Sequence, residues 1–183
     1  MRGLAGLGVS ANAVTLTASA LSIALGAALA LWPQPRLFLL VPVWMFLRMA
    51  LNAIDGMLAR EHDMKTRLGA LLNELTDVLN DAALLLPFAA LEGIHGALVV
   101  LVVVAAGLTE LAGVAATTIG ASRRYDGPMG KSDRAFAFGL LALLVGLGLK
   151  PGVWSTALLA LVLALTSWTV LNRVRQALRE EPA

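Results

Sequence analysis

The feature that most constrains the fold of this chain is a series of apolar runs, several longer than about 18 residues and almost free of charge. Runs of this length can cross a bilayer as α-helices. The composition agrees, because 14% of the residues are charged, against about a quarter in soluble domains. A soluble bundle would instead carry polar residues along one face of every helix. The sequence therefore predicts an integral membrane protein.

Six transmembrane helices are expected, in one all-α domain that covers residues 1–183. Breaks rich in proline and glycine separate them. The first apolar run is longer than the core of a signal peptide, so it is interpreted as a retained span. The predicted helices are Asn12–Leu31, Leu37–Arg60, Thr66–Phe88, Ala97–Ala121, Ser132–Leu149 and Val153–Val174.

The basic residues indicate the orientation of the chain in the membrane. They lie at the ends of apolar runs rather than in one patch, which argues against nucleic acid as a partner. By the positive-inside rule one end of the bundle faces the cytoplasm, with both termini on that side. The absence of cysteine excludes disulfides and thiolate chemistry. The residues assigned to the cytoplasmic side are Arg2, Arg60, Lys65, Arg67, Arg123, Arg124, Lys131, Arg134, Arg173, Arg175 and Arg179, against Arg36 and Lys150 on the other.

Polar side chains interrupt the second and third predicted helices at helical spacing. An ionisable group in a membrane helix costs at least about 2.5–3.5 kcal/mol, so a cluster of them indicates function. A turn of a few residues joins the two helices, which makes them antiparallel neighbours whose polar faces can meet. The polar faces contain Arg48, Asn52, Asp55 and Ala59 on one helix, and Gly69, Asn73, Asp77 and Asp81 on the other.

The chemistry of these side chains points to a metal and a phosphate. Carboxylate and amide oxygens are preferred ligands of hard cations such as Mg²⁺ or Mn²⁺. Such cations could neutralise a diphosphate and polarise its phosphorus. Gly56, Ala59 and Gly69 add no bulk, which would let a ligand approach the backbone, and Arg60 could hold a phosphate.

The same stretch resembles the signature of the CDP-alcohol phosphotransferase family, D-x2-D-G-x2-A-R-x8-G-x3-D-x3-D. Six of the eight specified positions match with every spacing kept, from Asn52 to Asp77. The segment VSANAVTL, with Asn12 and Thr15, is similar to the start of the family's first helix. The segment GPMGKSDRA is similar to the start of its fifth.

The resemblance implies a function and a role for each matched residue. A hydroxyl acceptor would attack a CDP-alcohol, expected to be CDP-diacylglycerol, and release CMP in phospholipid synthesis. It also implies a homodimer in a bacterial inner membrane, with the site facing the cytoplasm and Mg²⁺ or Mn²⁺ bound. The implied roles are metal ligation by Asn52, Asp55, Asn73 and Asp77, general base catalysis by Asp77, nucleotide binding by Gly56, Ala59, Arg60 and Gly69, and acceptor or phosphate binding by Lys131, Arg134 and Arg123.

Two departures from the signature leave alternatives open. Asn52 and Asn73 replace aspartates, so the ligand set loses two negative charges, for which Glu74 and Asp81 are candidate substitutes. The chain is interpreted as an active enzyme, but a protein that binds a CDP-lipid without turnover is the alternative. Two further hypotheses are that the chain is a transporter, or that these polar residues only form a structural network between the helices. Arg48 is interpreted as an internal counter-ion, to Asp81 or Glu110.

Overall fold

The computed structural model describes residues 10–61 and 66–180, and the backbone alone for 58–61. Six long helices make up this part of the chain, and no strand occurs in it, so the predicted all-α fold is confirmed. The long helices are α1 (Ala11–Leu31), α2 (Leu40–Glu61), α3 (Arg67–Leu85), α4 (Gly96–Ala115), α5 (Lys131–Gly146) and α6 (Val153–Arg179). Short 3-10 helices cover Pro35–Leu39, Leu86–Ala90 and Ala116–Ile119.

Several helix ends differ from the predicted boundaries because the last turns tighten into 3-10 helices. The predicted third helix runs to Phe88, but α3 ends at Leu85 and a 3-10 turn continues to Ala90. Pro87 lies in that turn, and a proline cannot donate the backbone hydrogen bond that a continuing α-helix needs. The predicted fourth helix likewise ends early, and Gly120 closes its 3-10 turn with a φ of 80°.

Side-chain caps define the beginnings of the helices nearest the polar faces. Ser10 accepts a hydrogen bond from the backbone N–H of Ala13, and Thr66 accepts one from Gly69. At the start of α5, the backbone N–H of Gly130 donates to Asp133. Each contact satisfies a backbone or side-chain group that the first turn would otherwise leave unpaired.

Consecutive helices run in opposite directions, which brings alternate helix ends together. The principal contacts join α1 to α3 and α2, α2 to α5, and α4 to α6. The N-terminal ends of α1, α3 and α5 therefore lie beside the C-terminal ends of α2, α4 and α6. This end of the bundle, called the site end below, holds nearly all of the polar groups on α2 and α3.

The apolar core lies toward the opposite end. Phe88 contacts Phe38 and Phe138 edge to face, with ring centroids 4.8 and 5.2 Å apart. All three rings are buried. Edge-to-face aromatic pairs add to the free energy of burial, so this cluster anchors the helices away from the site and leaves the other end free for polar chemistry.

Four segments of the described chain are long and apolar enough to cross a membrane. They are Ala11–Leu31, Pro35–Met57, Gly96–Ile119 and Val153–Arg179. Of the two remaining long helices, α3 carries Arg67, Glu74, Asp77 and Asp81, and α5 has only 16 residues. Asp77 of α3 and Arg134 of α5 are buried against neighbouring helices, as ionisable groups within membrane proteins usually are.

A close approach of α1 to α3 gives the first testable prediction. A Cβ atom built at Gly26 would lie 2.1 Å from the backbone oxygen of Ala83, whereas one at Gly107 would make an ordinary 3.8 Å contact with Val78. Gly26→Ala is therefore expected to lower the thermal midpoint in detergent, because overpacking costs about 1–3 kcal/mol. Gly107→Ala, the matched control, should be neutral or slightly stabilising. Equal midpoints for the two variants would contradict the close packing of α1 on α3.

Candidate functional site

The polar faces of α2 and α3 meet at the site end, as the spacing predicts. Asn52 on α2 donates from Nδ2 to Oδ1 of Asp77 on α3, over 3.5 Å. Asp55, one turn further along α2, accepts a 2.7 Å hydrogen bond from the hydroxyl of Thr15 on α1. Asp55 and Asp77 are 7% and 8% exposed. Three helices thus hold two buried carboxylates in one region.

Lys131, at the first position of α5, completes this part of the site. Its ammonium group lies 2.6 Å from Oδ2 of Asp77, and its side chain is 31% exposed. Asp77 therefore contacts Asn52 through one oxygen and Lys131 through the other. Lys131 was predicted to bind the acceptor or a phosphate, and its place beside Asp77 puts it within the same site.

The small residues of the signature have different surroundings. A Cβ at Gly56 would meet no atom within 4 Å, so the space beside it is open. A Cβ at Gly69 would lie 2.6 Å from Oδ1 of Asn12, so this glycine permits α1 to approach α3. Asn73 is exposed one turn before Asp77. The side chains of Ala59 and Arg60 lie outside the described part of the chain.

Asp81, a further turn along α3, is bound by two arginines. Arg48 of α2 contacts Oδ1 at 2.7 Å, and Arg134 of α5 contacts Oδ2 at 3.0 Å. The predicted counter-ion role of Arg48 is confirmed. Since both carboxylate oxygens of Asp81 carry a charged hydrogen bond, the structure gives Asp81 a role in joining α2, α3 and α5. Its predicted role as a metal ligand stays a prediction.

Glu110 of α4 extends this set of ion pairs toward α6. Its Oε1 lies 3.1 Å from Arg134, and its Oε2 lies 3.4 Å from Arg173. Arg134 is 1% exposed and also donates to Thr109 and to the carbonyl of Met129. The guanidinium of Arg134 is thus fully engaged within the protein, and its predicted binding of the acceptor stays untested. Sequence reasoning left the partner of Glu110 open.

The remaining acidic candidate, Glu74, faces a different cation. Its Oε2 accepts from Nη2 of Arg123 over 2.5 Å. Arg123 is 21% exposed and also lies 4.2 Å from the centre of the Tyr125 ring. Glu74 therefore reaches toward the segment between α4 and α5 rather than back toward Asn73.

That segment is fastened to the C-terminal end of α6. Glu180 accepts hydrogen bonds from the backbone and hydroxyl of Ser122 and from Arg124, which also pairs with Asp126. The Ser122 backbone N–H, the Ser122 hydroxyl and Arg124 lower the pKa of Glu180. The hydrogen bond from Arg124 lowers the pKa of Asp126. Because folding lowers both pKa values, these contacts stabilise the fold at neutral pH and are lost as the pH falls through the lowered values.

The donor set fits a hard divalent cation. Asp55 and Asp77 supply carboxylate oxygens, and the amide oxygens of Asn52 and Asn73 are neutral ligands of the kind that Mg²⁺ and Mn²⁺ accept. Among the described residues, no three His, Cys, Asp or Glu side chains are grouped closely enough to hold a metal by themselves. The amide oxygens of Asn52 and Asn73 are therefore the further protein ligands that the signature positions offer beside Asp55 and Asp77.

The fold and the site thus define a helical bundle with long apolar segments, in which two facing helices bring oxygen-bearing side chains together at one end. A family model described as CDP-alcohol phosphatidyltransferase matches residues 9–168. The chain belongs to this family, and the predicted resemblance and enzyme class are confirmed.

Known proteins resemble the chain in sequence or in fold. The inner membrane protein YnbA of Escherichia coli (strain K12) is 49% identical over 170 residues, which cover 93% of this chain and 85% of YnbA. The fold matches the crystal structure of Mycobacterium tuberculosis phosphatidylinositol phosphate synthase, PgsA1, with CDP-DAG bound. That match has a TM-score of 0.80 and 19% identity, and covers 96% of this chain and 90% of PgsA1. PgsA1 in complex with manganese and citrate gives a TM-score of 0.77 at 19% identity, over 97% of this chain and 86% of that one.

Proposed function

We propose that the protein transfers a phosphatidyl group from CDP-diacylglycerol to a hydroxyl acceptor and releases CMP, with Mg²⁺ or Mn²⁺ bound by Asn52, Asp55, Asn73 and Asp77. The observation that carries the proposal is the meeting of Asn52 and Asp77 beside Asp55 at the site end. The PgsA1 complexes with CDP-DAG and with manganese support the choice of lipid and metal.

The chain's own groups supply a base and positive charge. Asp77 takes the proton of the acceptor hydroxyl. The acceptor oxygen then forms a bond to the phosphorus that carries the diacylglycerol, and the anhydride bond to CMP breaks. The cation, when bound, neutralises charge on the diphosphate. Lys131 adds a positive charge next to Asp77, where it can stabilise the charge that develops on the phosphoryl oxygens.

The open space beside Gly56 supports a ligand at that point of α2. Because no protein atom approaches the position of a Cβ there, a nucleotide or phosphate can lie against the helix backbone. Gly69 contributes differently, since its missing side chain lets Asn12 approach α3. We assign Gly56 to direct contact with the nucleotide and Gly69 to shaping the site through α1.

The proposal is tested by measuring CMP release from CDP-diacylglycerol by the purified protein in detergent, with Mn²⁺ or Mg²⁺ and a panel of hydroxyl acceptors. Metal-dependent CMP release with at least one acceptor is expected. If CMP is released from no CDP-linked lipid, the proposed transferase activity is wrong. If Asn52→Asp with Asn73→Asp then creates activity that the natural protein lacks, the chain is a binding protein that has lost turnover.

We further propose that the site end faces the cytoplasm, in an inner membrane. The basic residues of that end support this orientation. The chain has no cysteine, so single cysteines report the topology directly. Tyr125→Cys at the site end should react with a membrane-impermeant maleimide only in inside-out vesicles, and Gln34→Cys at the opposite end only in right-side-out ones. The reverse pattern would contradict the orientation.

The homodimer implied by the resemblance stays a prediction, and cross-linking of the same cysteine variants can detect it.

A further inference from the structure

The charge of the site differs from that of a four-aspartate site. Asp55 and Asp77 are its two carboxylates, whereas Asn52 and Asn73 are neutral. Glu74 and Asp81 do not restore the missing charge, because Glu74 turns away toward Arg123 and Asp81 has both of its oxygens bound by arginines. Asp55 and Asp77 are thus the two carboxylates left at the signature positions.

Lys131 changes the charge further. Its ammonium group lies 2.6 Å from Oδ2 of Asp77, and Asp55 lies one turn along α2 from Asn52, which contacts the other oxygen of the same carboxylate. The site thus already contains one cation that belongs to the protein. Two divalent ions would meet two carboxylates and an ammonium group. Because the repulsion between two divalent ions is four times that between two unit charges at the same distance, this arrangement is unfavourable.

We propose that this site binds one divalent cation, and that the ammonium group of Lys131 stands beside Asp77 in place of a second one. The inference rests on the proposed function for the identity of the site, but the number of metal ions can be measured without turnover. It makes Lys131 a positioning residue for Asp77 before the lipid binds. When the CDP-lipid binds, the ammonium group of Lys131 can contact its diphosphate without moving away from Asp77.

The geometry of Asp77 supports this arrangement. One carboxylate oxygen faces Asn52 and the other faces Lys131. A second metal ion bridging Asp77 would have to displace the ammonium group from Oδ2, and the neutral amides of Asn52 and Asn73 would not compensate for the added charge. One ion held by Asn52, Asp55, Asn73 and Asp77 would leave the contact between Lys131 and Oδ2 in place.

The test is the stoichiometry of Mn²⁺ in the full-length protein in detergent without lipid substrate. Equilibrium dialysis with metal analysis should give one Mn²⁺ per chain, and low-temperature electron paramagnetic resonance should show an isolated ion. A pair of ions about 3.5–4 Å apart would instead give an exchange-coupled spectrum. The triple variant Asn52→Asp, Asn73→Asp, Lys131→Met should bind two coupled ions, because it restores both carboxylates and removes the competing cation.

Lys131→Met alone provides a second measurement that does not depend on the triple variant. It adds no ligand, so the count should stay at one, but the single Mn²⁺ should bind about tenfold more tightly once a repelling charge is removed. Lys150→Met, at the opposite end of the bundle, is the matched control and should leave the dissociation constant unchanged.

Two coupled Mn²⁺ ions in the natural protein, or no bound Mn²⁺, would overturn the inference. An unchanged dissociation constant in Lys131→Met relative to Lys150→Met would do the same. One bound Mn²⁺ without CMP release with any acceptor would contradict the proposed function while leaving the metal count established, so the two failures are distinguishable.

Discussion

Replacing Asp77 with asparagine is expected to reduce CMP release by about 10³–10⁴-fold, because the change removes the proposed base and a metal ligand together. The substitution keeps the size of the side chain and its place one turn beyond Asn73. Its partner Lys131 is 31% exposed, so the ammonium group can be hydrated when its anion is lost. The fold should therefore survive, and the loss should appear in kcat as well as in the apparent affinity for Mn²⁺.

The matched control for this prediction is Asp133→Asn, which lies on the same end of the bundle. Asp133 accepts a hydrogen bond from the backbone of Gly130, and an asparagine oxygen can accept it as well. CMP release by Asp133→Asn should stay within about twofold of the natural protein, since a surface substitution with its cap retained has little effect. If Asp77→Asn kept more than a tenth of the natural rate with normal metal affinity, Asp77 would be neither base nor ligand.

The spacing of the signature predicts the core of the site because helix geometry is regular. Residues four apart share a face, and a short turn makes α2 and α3 antiparallel, so the meeting of Asn52 and Asp77 could be expected from the sequence. The pairing of Arg48 with Asp81 could be predicted in the same way, because each position follows from its place on one of these two helices.

Contacts from distant parts of the chain could not be predicted in this way. Thr15 belongs to the segment VSANAVTL, but nothing in the sequence places its hydroxyl on Asp55. Arg173 could be interpreted only as a positive charge at a helix end, whereas it is 2% exposed and bound to Glu110. Such contacts depend on how α1, α4 and α6 are rotated about their axes. A helix that is apolar on every face does not show from its sequence which face points into the bundle.

The helix ends show a second limit of sequence reasoning. Proline and glycine marked the breaks after α1, α3 and α5 correctly, but the sequence did not show that 3-10 turns would follow α3 and α4. In an α turn each N–H bonds the carbonyl four residues earlier, and in a 3-10 turn the carbonyl three residues earlier. Which of the two forms depends on the direction in which the chain leaves the helix. That choice is settled by packing, as in the buried turn that holds Phe88.

The set of ion pairs around Glu110 gives the second large effect. Three arginines have a guanidinium nitrogen within 4 Å of this carboxylate, with distances of 3.1 Å for Arg134, 3.4 Å for Arg173 and 3.6 Å for Arg123. Glu110→Gln keeps the shape of the side chain but removes its charge. The side chains of Arg134 and Arg173 are 1% and 3% exposed. Water therefore cannot hydrate them in place of Glu110, and the repulsion between the two guanidinium groups is no longer offset.

The expected loss of stability is about 3–5 kcal/mol, the usual effect of breaking a buried ion pair from one side. The thermal midpoint in detergent should fall by roughly 10 °C. Glu92→Gln, an exposed acid at the opposite end of the bundle, is the matched control and should change the midpoint by no more than about 2 °C.

A double substitution separates charge from packing. Adding Arg173→Met to Glu110→Gln removes one of the two repelling cations, so the double variant should lose less stability than the sum of the two single variants. An additive loss, or a Glu110→Gln midpoint equal to that of Glu92→Gln, would mean that Glu110 contributes no charge balance. The less-than-additive result is expected because Glu110 is paired with both Arg134 of α5 and Arg173 of α6. These two helices make few direct contacts with each other. The carboxylate of Glu110 therefore connects α5, which carries Lys131, to α6.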